Sequence, residues 1–196
     1  MYIVLYMKNI NIILATSTDY GIGYDNKLCW NIPEELQNFR KITIGNKKNC
    51  VIMGKNTWYS LPNGPLKHRI NVIISNTDFE KVSRECYDKD VIVKRSIEDA
   101  FEFVERDDDI DDVFIIGGAQ LYDYCLNKFI HKINKIYMSI IYDKNYICDK
   151  FVKADNIYKH FRFDKENIHF TERYAFMIGY NKNKTINNID IDEPID

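Results

Sequence analysis

No CxxC pair occurs in this chain of 196 residues, and its five cysteines (Cys29, Cys50, Cys86, Cys125 and Cys148) are odd in number and widely spaced. That pattern excludes a disulfide framework and a thiolate zinc site, and it points to reduced thiols in a cytoplasmic compartment with no metal. Excess charge of one sign is also missing: the formal net charge of −2 gives no reason to expect nucleic acid or an anionic membrane as partner. No apolar run is long enough to span a bilayer. The N-terminal MYIVLYM is too short, and it lacks a basic leader and a small-residue cleavage site. It reads as a lead-in to the first strand, with initiation at Met7 equally compatible. The GxGxxG dinucleotide fingerprint is absent, as are internal repeats. The acidic run ERDDDIDD (105–112) lacks the loop chemistry of a calcium site and reads as a solvated turn.

What is present is a succession of short apolar runs alternating with helical patterns. INIILA (10–15), CVIMG (50–54), INVIIS (70–75), VIV (91–93) and VFIIGG (113–118) read as strands, most of them buried on both faces. Pro33 suits a first helical position, and Leu36, Phe39 and Ile42 then recur at helical spacing. Ser96 is a candidate N-cap with Glu98 and Asp99 in the first turn behind it. KIYMSIIY (135–142) and the aromatic-rich runs near 161–163 and 174–180 predict an antiparallel end. The expected fold is α/β, a predominantly parallel twisted sheet with flanking helices and an antiparallel C-terminal hairpin. It forms one domain over residues 1–180, with 181–196 a flexible acidic tail or linker.

In such a sheet ligands bind beyond the carboxyl ends of the strands. Those ends deliver the 15–31 loop, Gly54-Lys55-Asn56-Thr57, Ser75-Asn76, Lys94-Arg95-Ser96 and Gly117-Gly118-Ala119-Gln120. Two are glycine–helix junctions that offer free N–H groups to phosphate. Tight strand–helix packing explains Gly117-Gly118 equally well, and Lys55 and Arg95 read equally as surface charges. The stretch 22–39, IGYDNKLCWNIPEELQNF, adds an acid, Glu35, bordering an apolar helix face. Desolvation there raises its proton affinity and makes it a candidate site residue. The alternative is a first-turn acid stabilised by the helix dipole, as Glu34 is expected to be.

The segments ILA (13–15), IGYDNKLCWNIPEEL, VIMGKNTW, GPLKHRINVIIS (64–75) and IIGGAQLY resemble dihydrofolate reductase, in order and at the right spacings, over residues 9–180. The resemblance implies an eight-stranded sheet and NADPH-dependent reduction of 7,8-dihydrofolate to tetrahydrofolate, by hydride transfer to C6 with protonation at N5. It places the protein in one-carbon metabolism and thymidylate synthesis, as an antifolate target. It makes Glu35 the acid that binds the pterin, with Leu28 and Trp30 of the loop beside it as catalytic residues. Arg69 would pair with the carboxylate of the substrate's glutamyl tail, a fork-to-carboxylate fit. Leu36, Phe39, Leu61 and Leu66 would wall the rings, and Ile13 and Ile116 would offer backbone carbonyls. Tyr122 would contact both the Ile116 region and the nicotinamide, and Ser139, where the family usually has Thr, would brace the acid.

For the cofactor, the resemblance implies that Ala15 and Ile22 face the nicotinamide and that the loop carrying Gly23, Asn26, Lys27 and Leu28 closes over it. Gly54, Lys55, Asn56 and Thr57 would lie near the phosphates, and Ser75, Asn76, Thr77 and Arg95 around the adenosine 2′-phosphate. Gly117, Gly118, Ala119, Gln120 and Leu121 would bind the pyrophosphate, with a cis peptide in the glycine pair. Two departures stand out: Cys29 replaces the usual Pro before Trp30, and Asn76 replaces a commoner Ser or Arg. The partner is a small molecule, dihydrofolate, and the protein is expected to be a monomer. Fusion to or association with thymidylate synthase is the second reading, motivated by the tail. The related reductase fold of riboflavin synthesis lacks the Trp–Pro–acid helix seen at Trp30, Pro33 and Glu35.

Overall fold

The protein, seen as a computed structural model, is described over residues 8–184. The expectations for 1–7, including the choice between Met1 and Met7, and for 185–196 lie outside the described residues. β-Branched runs between turns supply the strands, and the intervening amphipathic segments supply the helices. In chain order these are β1 (Asn9–Ser17), β2 (Gly21–Gly23), α1 (Pro33–Ile44), β3 (Cys50–Gly54), α2 (Lys55–Ser60), β4 (Ile70–Ile74), α3 (Phe79–Glu85), β5 (Ile92–Lys94), α4 (Ile97–Arg106), β6 (Asp112–Ile115), α5 (Ala119–Lys128), β7 (Ile133–Ile141), β8 (Lys150–Phe151), α6 (Ala154–His160), β9 (Phe161–Phe163), β10 (His169–Phe170) and β11 (Tyr174–Asn181). Ser96 caps α4 as its sequence suggests, accepting a hydrogen bond from Asp99 N at 3.1 Å.

The main sheet runs β10-β11-β7-β1-β6-β3-β4-β5. Every neighbouring pair from β7 to β5 is parallel, and β11 is antiparallel to β7. β9 and β10 both pair with β11, along different stretches of it. The sheet is therefore eight positions wide, as expected, but two short strands share its last position. β2 and β8 form a separate two-stranded ribbon.

The two faces of the sheet carry separate cores. Along β3, Cys50 and Ile52 join Ile12, Val72, Phe101, Ile115, Leu126 and Met138 on one side. Val51 and Met53 join Ile13, Trp58, Ile73, Val82 and Phe114 on the other. Because strand side chains alternate, a strand feeding both cores must be apolar throughout, which is why CVIMG shows no period of two. Each such side chain is worth about 1.5–3 kcal/mol when fully buried. α3 and α6 were not legible in the sequence. Each buries a single apolar side chain, Val82 and Ile157 respectively, so neither shows helical periodicity. Among the described residues, no helix is long and apolar enough to cross a membrane.

β11 runs one residue past the boundary at 180 expected from composition. Asn181 is buried, and its Nδ2 donates to the carbonyls of Ile130 (2.8 Å) and Ile133 (2.7 Å). This amide ties the last strand to the α5–β7 connection. Asn181→Ala removes both of these hydrogen bonds and is expected to lower unfolding free energy by about 1–3 kcal/mol. Urea denaturation measures this, and an unchanged midpoint would show that the tie contributes nothing.

Candidate active site

The carboxyl ends of β3 and β6 meet through their backbones. Gly54 N donates to Gly117 O at 2.7 Å, joining the start of α2 to the start of α5. The Gly117–Gly118 peptide is cis, as the resemblance implied, and Gly117 has φ 109°. A methyl group on Gly117 would come within 3.1 Å of the Tyr122 ring, and one on Gly118 within 3.5 Å of Thr57 Oγ1. The glycine pair is thus a close-approach device that brings Thr57, Tyr122 and two helix starts together. Tyr122 is buried and donates its hydroxyl to Ile13 O at 2.8 Å. Ile13's carbonyl is consequently engaged already, with one lone pair left for any ligand. Ala119 and Leu121 are half-buried, and Gln120 is exposed.

Glu35 lies on the first turn of α1 and is only 6 % exposed, whereas the adjacent Leu36 is 42 % exposed. Of the expected apolar face, Leu36 therefore departs, while Phe39 and Ile42 keep to the core. The buried residues of the helix are Glu35 and Thr43, and Phe39 and Ile42 are only half-buried. Burial holds the Glu35 carboxyl above its ordinary range, opposed by a hydrogen bond from Ser139. Ser139 sits mid-sheet on β7, opposite Ala15 of β1 and Phe176 of β11. Trp30 is buried beside Ile32, Ile141 and Tyr174, edge-on to Tyr146 at 5.6 Å, and its Nε1 has no partner. Glu34 is exposed and lies 4.0 Å from Arg173.

Arg69 lies at the other end of α1. Its Nη1 donates to Thr43 Oγ1 at 2.7 Å, its Nε to Lys67 O at 3.1 Å, and its guanidinium lies 5.9 Å from the Phe39 ring centroid. Burial, with a contribution from Arg40, pushes it down to about 10. None of the ion pairs among the described residues involves Arg69 or Glu35. Phe39, Leu61, Leu66 and Ile116 pack half-buried against the second core, the first three lying between the two charges in sequence. Asn71 fixes the Leu66 turn, pairing with both Leu66 N and Leu66 O at 2.9 Å.

The 16–31 stretch, expected to be an irregular loop, is largely built structure. β2 pairs with β8, and Tyr24 and Lys27 exchange backbone hydrogen bonds around Asp25 and Asn26, both at positive φ. This is the geometry of a two-residue hairpin, for which Asp and Asn are suited. Asp25, Asn26 and Lys27 line a cavity of about 490 Å³ facing Asn56, Tyr59, Ser60, Leu61 and Pro62. Leu28 is half exposed nearby in sequence, and Ile22 is half-buried. Cys148 packs on Gly21, where a methyl group would fall 2.5 Å from its Sγ, and Gly23 is equally closed by Lys27 O at 2.8 Å.

At the far strand ends Lys55 and Arg95 each already have an acid, while Lys94 lies over the Phe103 ring. Lys55 pairs with Asp78, and Arg95 pairs with Glu80 at 2.7 Å while stacking on Phe79 at 4.0 Å. Sequence reading missed both acids, because the α3 start that presents them carried no helical signal. Asn76 and Thr77 are exposed. Ser75 is buried and its hydroxyl has no partner, so it does not share their open surface.

A parallel sheet covered on both faces, with glycine–helix junctions, cations and a buried acid gathered at its carboxyl edge, defines an α/β enzyme with a small-molecule cleft. Comparison with known proteins gives the family. The dihydrofolate reductase family model matches residues 9–181. The chain is 33% identical over 175 residues to the dihydrofolate reductase of Ureaplasma parvum, covering 89% of this chain and 97% of that one. It is 33% identical over 159 residues to the Pneumocystis carinii dihydrofolate reductase, covering 74% and 73%. It is also 31% identical over 157 residues to a bifunctional dihydrofolate reductase-thymidylate synthase of Arabidopsis thaliana, covering 75% of this chain and 29% of that one. The chain belongs to the dihydrofolate reductase family.

Glu35 also leaves a stability signature. Its folded value lies above the ordinary one, so its charged form weakens folding fully above the folded value, and the penalty fades as pH falls to the ordinary value. Glu35→Gln is therefore expected to raise Tm at pH 7 and to raise it less near pH 4. Equal shifts at both pH values in a thermal scan would contradict a burial penalty on this group.

Proposed function

We propose that the protein reduces 7,8-dihydrofolate to 5,6,7,8-tetrahydrofolate at the expense of NADPH. One observation carries this reading. Two half- or fully buried groups of opposite charge, Glu35 and Arg69, stand at opposite ends of α1 without ion-pair partners among the described residues, and the half-buried Phe39 ring lies beside Arg69. Desolvated charges of this kind are retained where a ligand completes them. Dihydrofolate has the complementary pattern: adjacent N–H donors on the pterin edge, aromatic rings, and a carboxylate at the far end.

Glu35 accepts the pterin's paired donors in a bidentate, charge-assisted contact, held in position by Ser139. Its negative charge, in a dry site, favours the positive charge that develops on the ring as N5 takes a proton. The proton reaches N5 from water, and the orphaned Trp30 Nε1 offers such a water a donor beside Glu35's helix. Arg69, oriented by Thr43 and Lys67 O, grips the glutamyl carboxylate. Phe39, Leu36, Leu61 and Leu66 enclose the rings.

NADPH, when bound, supplies the hydride. The residues present fit it: Gly54 and Gly118 each open a helix at the carboxyl edge of the sheet, and the unpartnered Ser75 hydroxyl marks an unsatisfied polar position at the same edge. Lys55, Asn56 and Thr57 hold phosphate at the α2 start, Arg95 with Asn76 and Thr77 holds the 2′-phosphate, and Gly117 to Leu121 hold the pyrophosphate. Ala15, Ile22 and the 23–28 hairpin shield the nicotinamide from water. Asp78 and Glu80 compete for Lys55 and Arg95, so binding requires those two ion pairs to open.

A role joined to thymidylate synthase is a second reading, supported by the bifunctional relatives. Purified protein is expected to oxidise NADPH only when dihydrofolate is present, and Glu35→Ala to lose about 10²-fold or more of kcat. Wild-type protein that binds NADPH but never turns over would refute the enzyme reading. Arg69→Leu is expected to raise KM for dihydrofolate by about 10–100-fold with a smaller change in kcat, from the loss of a charged hydrogen-bonded pair. Asp78→Asn is expected to lower KM for NADPH about 2–5-fold at low salt, the scale of an exposed ion pair. A KM that rises instead would mean that Asp78 supports the phosphate site rather than opposing it.

A further inference from the structure

Cys29 and Cys148 stand apart from the other thiols. Their sulfurs are 3.0 Å apart, and Cys29 Sγ also donates to Ile147 O at 3.2 Å. Cys50, Cys86 and Cys125 are buried at 0–4 % exposure, whereas Cys29 and Cys148 are partly exposed and the neighbouring Ile147 is 82 % exposed. A disulfide needs sulfurs about 2.05 Å apart, so an approach of about 1 Å separates this pair from the bond. The segments they belong to are already laced together. Val152 N donates to Tyr20 O at 3.0 Å, Asp149 N to Gly23 O at 2.9 Å, and Asp25 N to Asp149 Oδ2 at 3.3 Å. This seam holds the hairpin that bounds the cavity against α2, and the thiols lie at its Trp30 end.

We propose that Cys29 and Cys148 form an oxidation site, closing to a disulfide under a small-molecule disulfide oxidant and fastening the 20–29 segment to the 147–152 segment. One thiolate attacks a sulfur of the oxidant, forming a mixed disulfide and releasing one reagent thiolate. The second thiolate attacks the protein-bound sulfur, forming the Cys29–Cys148 bond and releasing the other. The protein thiols lose two electrons and two protons, and the oxidant becomes two thiols. Burial, Cys148 and the carboxylates of Asp149 and Asp19 push Cys29 up to about 12, so closure is slow at neutral pH and faster in base. The bond's existence is independent of the proposed reaction. Its effect on turnover rests on that reading, because a fastened hairpin opens less readily for exchange of bound molecules.

The test treats the full chain with glutathione disulfide at pH 8.5, blocks remaining thiols with iodoacetamide and maps peptides by mass spectrometry. A peptide pair linked through Cys29 and Cys148, reversed by dithiothreitol, with Cys50, Cys86 and Cys125 unlinked, is the expected result. Cys148→Ser, or Cys148→Ala should the serine variant fold poorly, abolishes the linked pair and keeps reduced turnover at the wild-type level. The oxidised wild type is expected to lose about threefold or more of its dihydrofolate-dependent turnover and to regain it on reduction. Both thiols remaining alkylatable, or a mixed glutathione adduct that never resolves, overturns the site. A linked pair with unchanged turnover overturns the latch. A reduced enzyme with no turnover at all counts against the proposed reaction, while the linked peptide still decides the disulfide.

Discussion

The carboxylate of Glu35, buried without a countercharge among the described residues, is the constraint around which the molecule is arranged. Local support is slight: the first-turn position favours a negative charge, but the N-cap Ile32 offers no side-chain cap, and the acid turns inward while Leu36 beside it faces outward. What holds the carboxylate is one hydroxyl, Ser139, on β7. That hydroxyl is positioned because β7 lies between β1 and β11, with Ala15 and Phe176 in register on either side. A stiff sheet packed on both faces is thus the support for an arrangement that is unfavourable in isolation. Moving β11 or loosening the β7 register would free Ser139 before it freed any catalytic group.

The site manages charge in two contrasting ways. At the α1 end, Glu35 and Arg69 are desolvated and left unpaired, with Arg69 tethered by Thr43 and a backbone carbonyl instead of an acid. At the α3 end, Lys55 and Arg95 are more exposed and each has its own carboxylate, Asp78 and Glu80. Exposed pairs are worth at most about 1 kcal/mol and exchange readily, whereas an unpaired buried charge is a standing cost that a ligand relieves. The first arrangement suits recognition of one particular molecule by shape and hydrogen bonding. The second suits a charged, shared molecule that must come and go.

Sequence reading was accurate wherever one physical rule dominated. Strands such as 50–54, apolar throughout, and 70–74, apolar apart from a buried Asn71 that hydrogen-bonds Leu66, were legible because double-sided burial leaves few polar positions, and Ser96 was legible as a cap. Glu35 was legible as a desolvated candidate bordering the apolar face of its helix, whereas the exposure of Leu36 was not, since amphipathic periodicity assigns Leu36 to the core with Phe39. The periodicity held for Phe39 and Ile42, which pack against the second core, and failed only at Leu36. α3 and α6 each bury a single apolar side chain, so no period could reveal them, and with α3 went the acids that pair with the cations. The 16–31 stretch concealed its order because that order is made by backbone bonds to residues 149–152, a separation that no local pattern records.

That same stretch shows how the chain compensates for its departures from the family. A proline before Trp30 would stiffen the end of the hairpin by fixing its own φ and removing an N–H. Here Cys29 supplies no such stiffness, and the hairpin's end is instead held from outside, by sulfur contacts to Cys148 and Ile147 O. Cys148 can reach that position only because Gly21 has no side chain. The two residues therefore form one solution: bulk added at Gly21 would expel Cys148, and Cys29 would lose its neighbour. Restraint that would otherwise come from a backbone ring comes here from a contact that chemistry can change, so the same feature that orders the hairpin makes its order open to control.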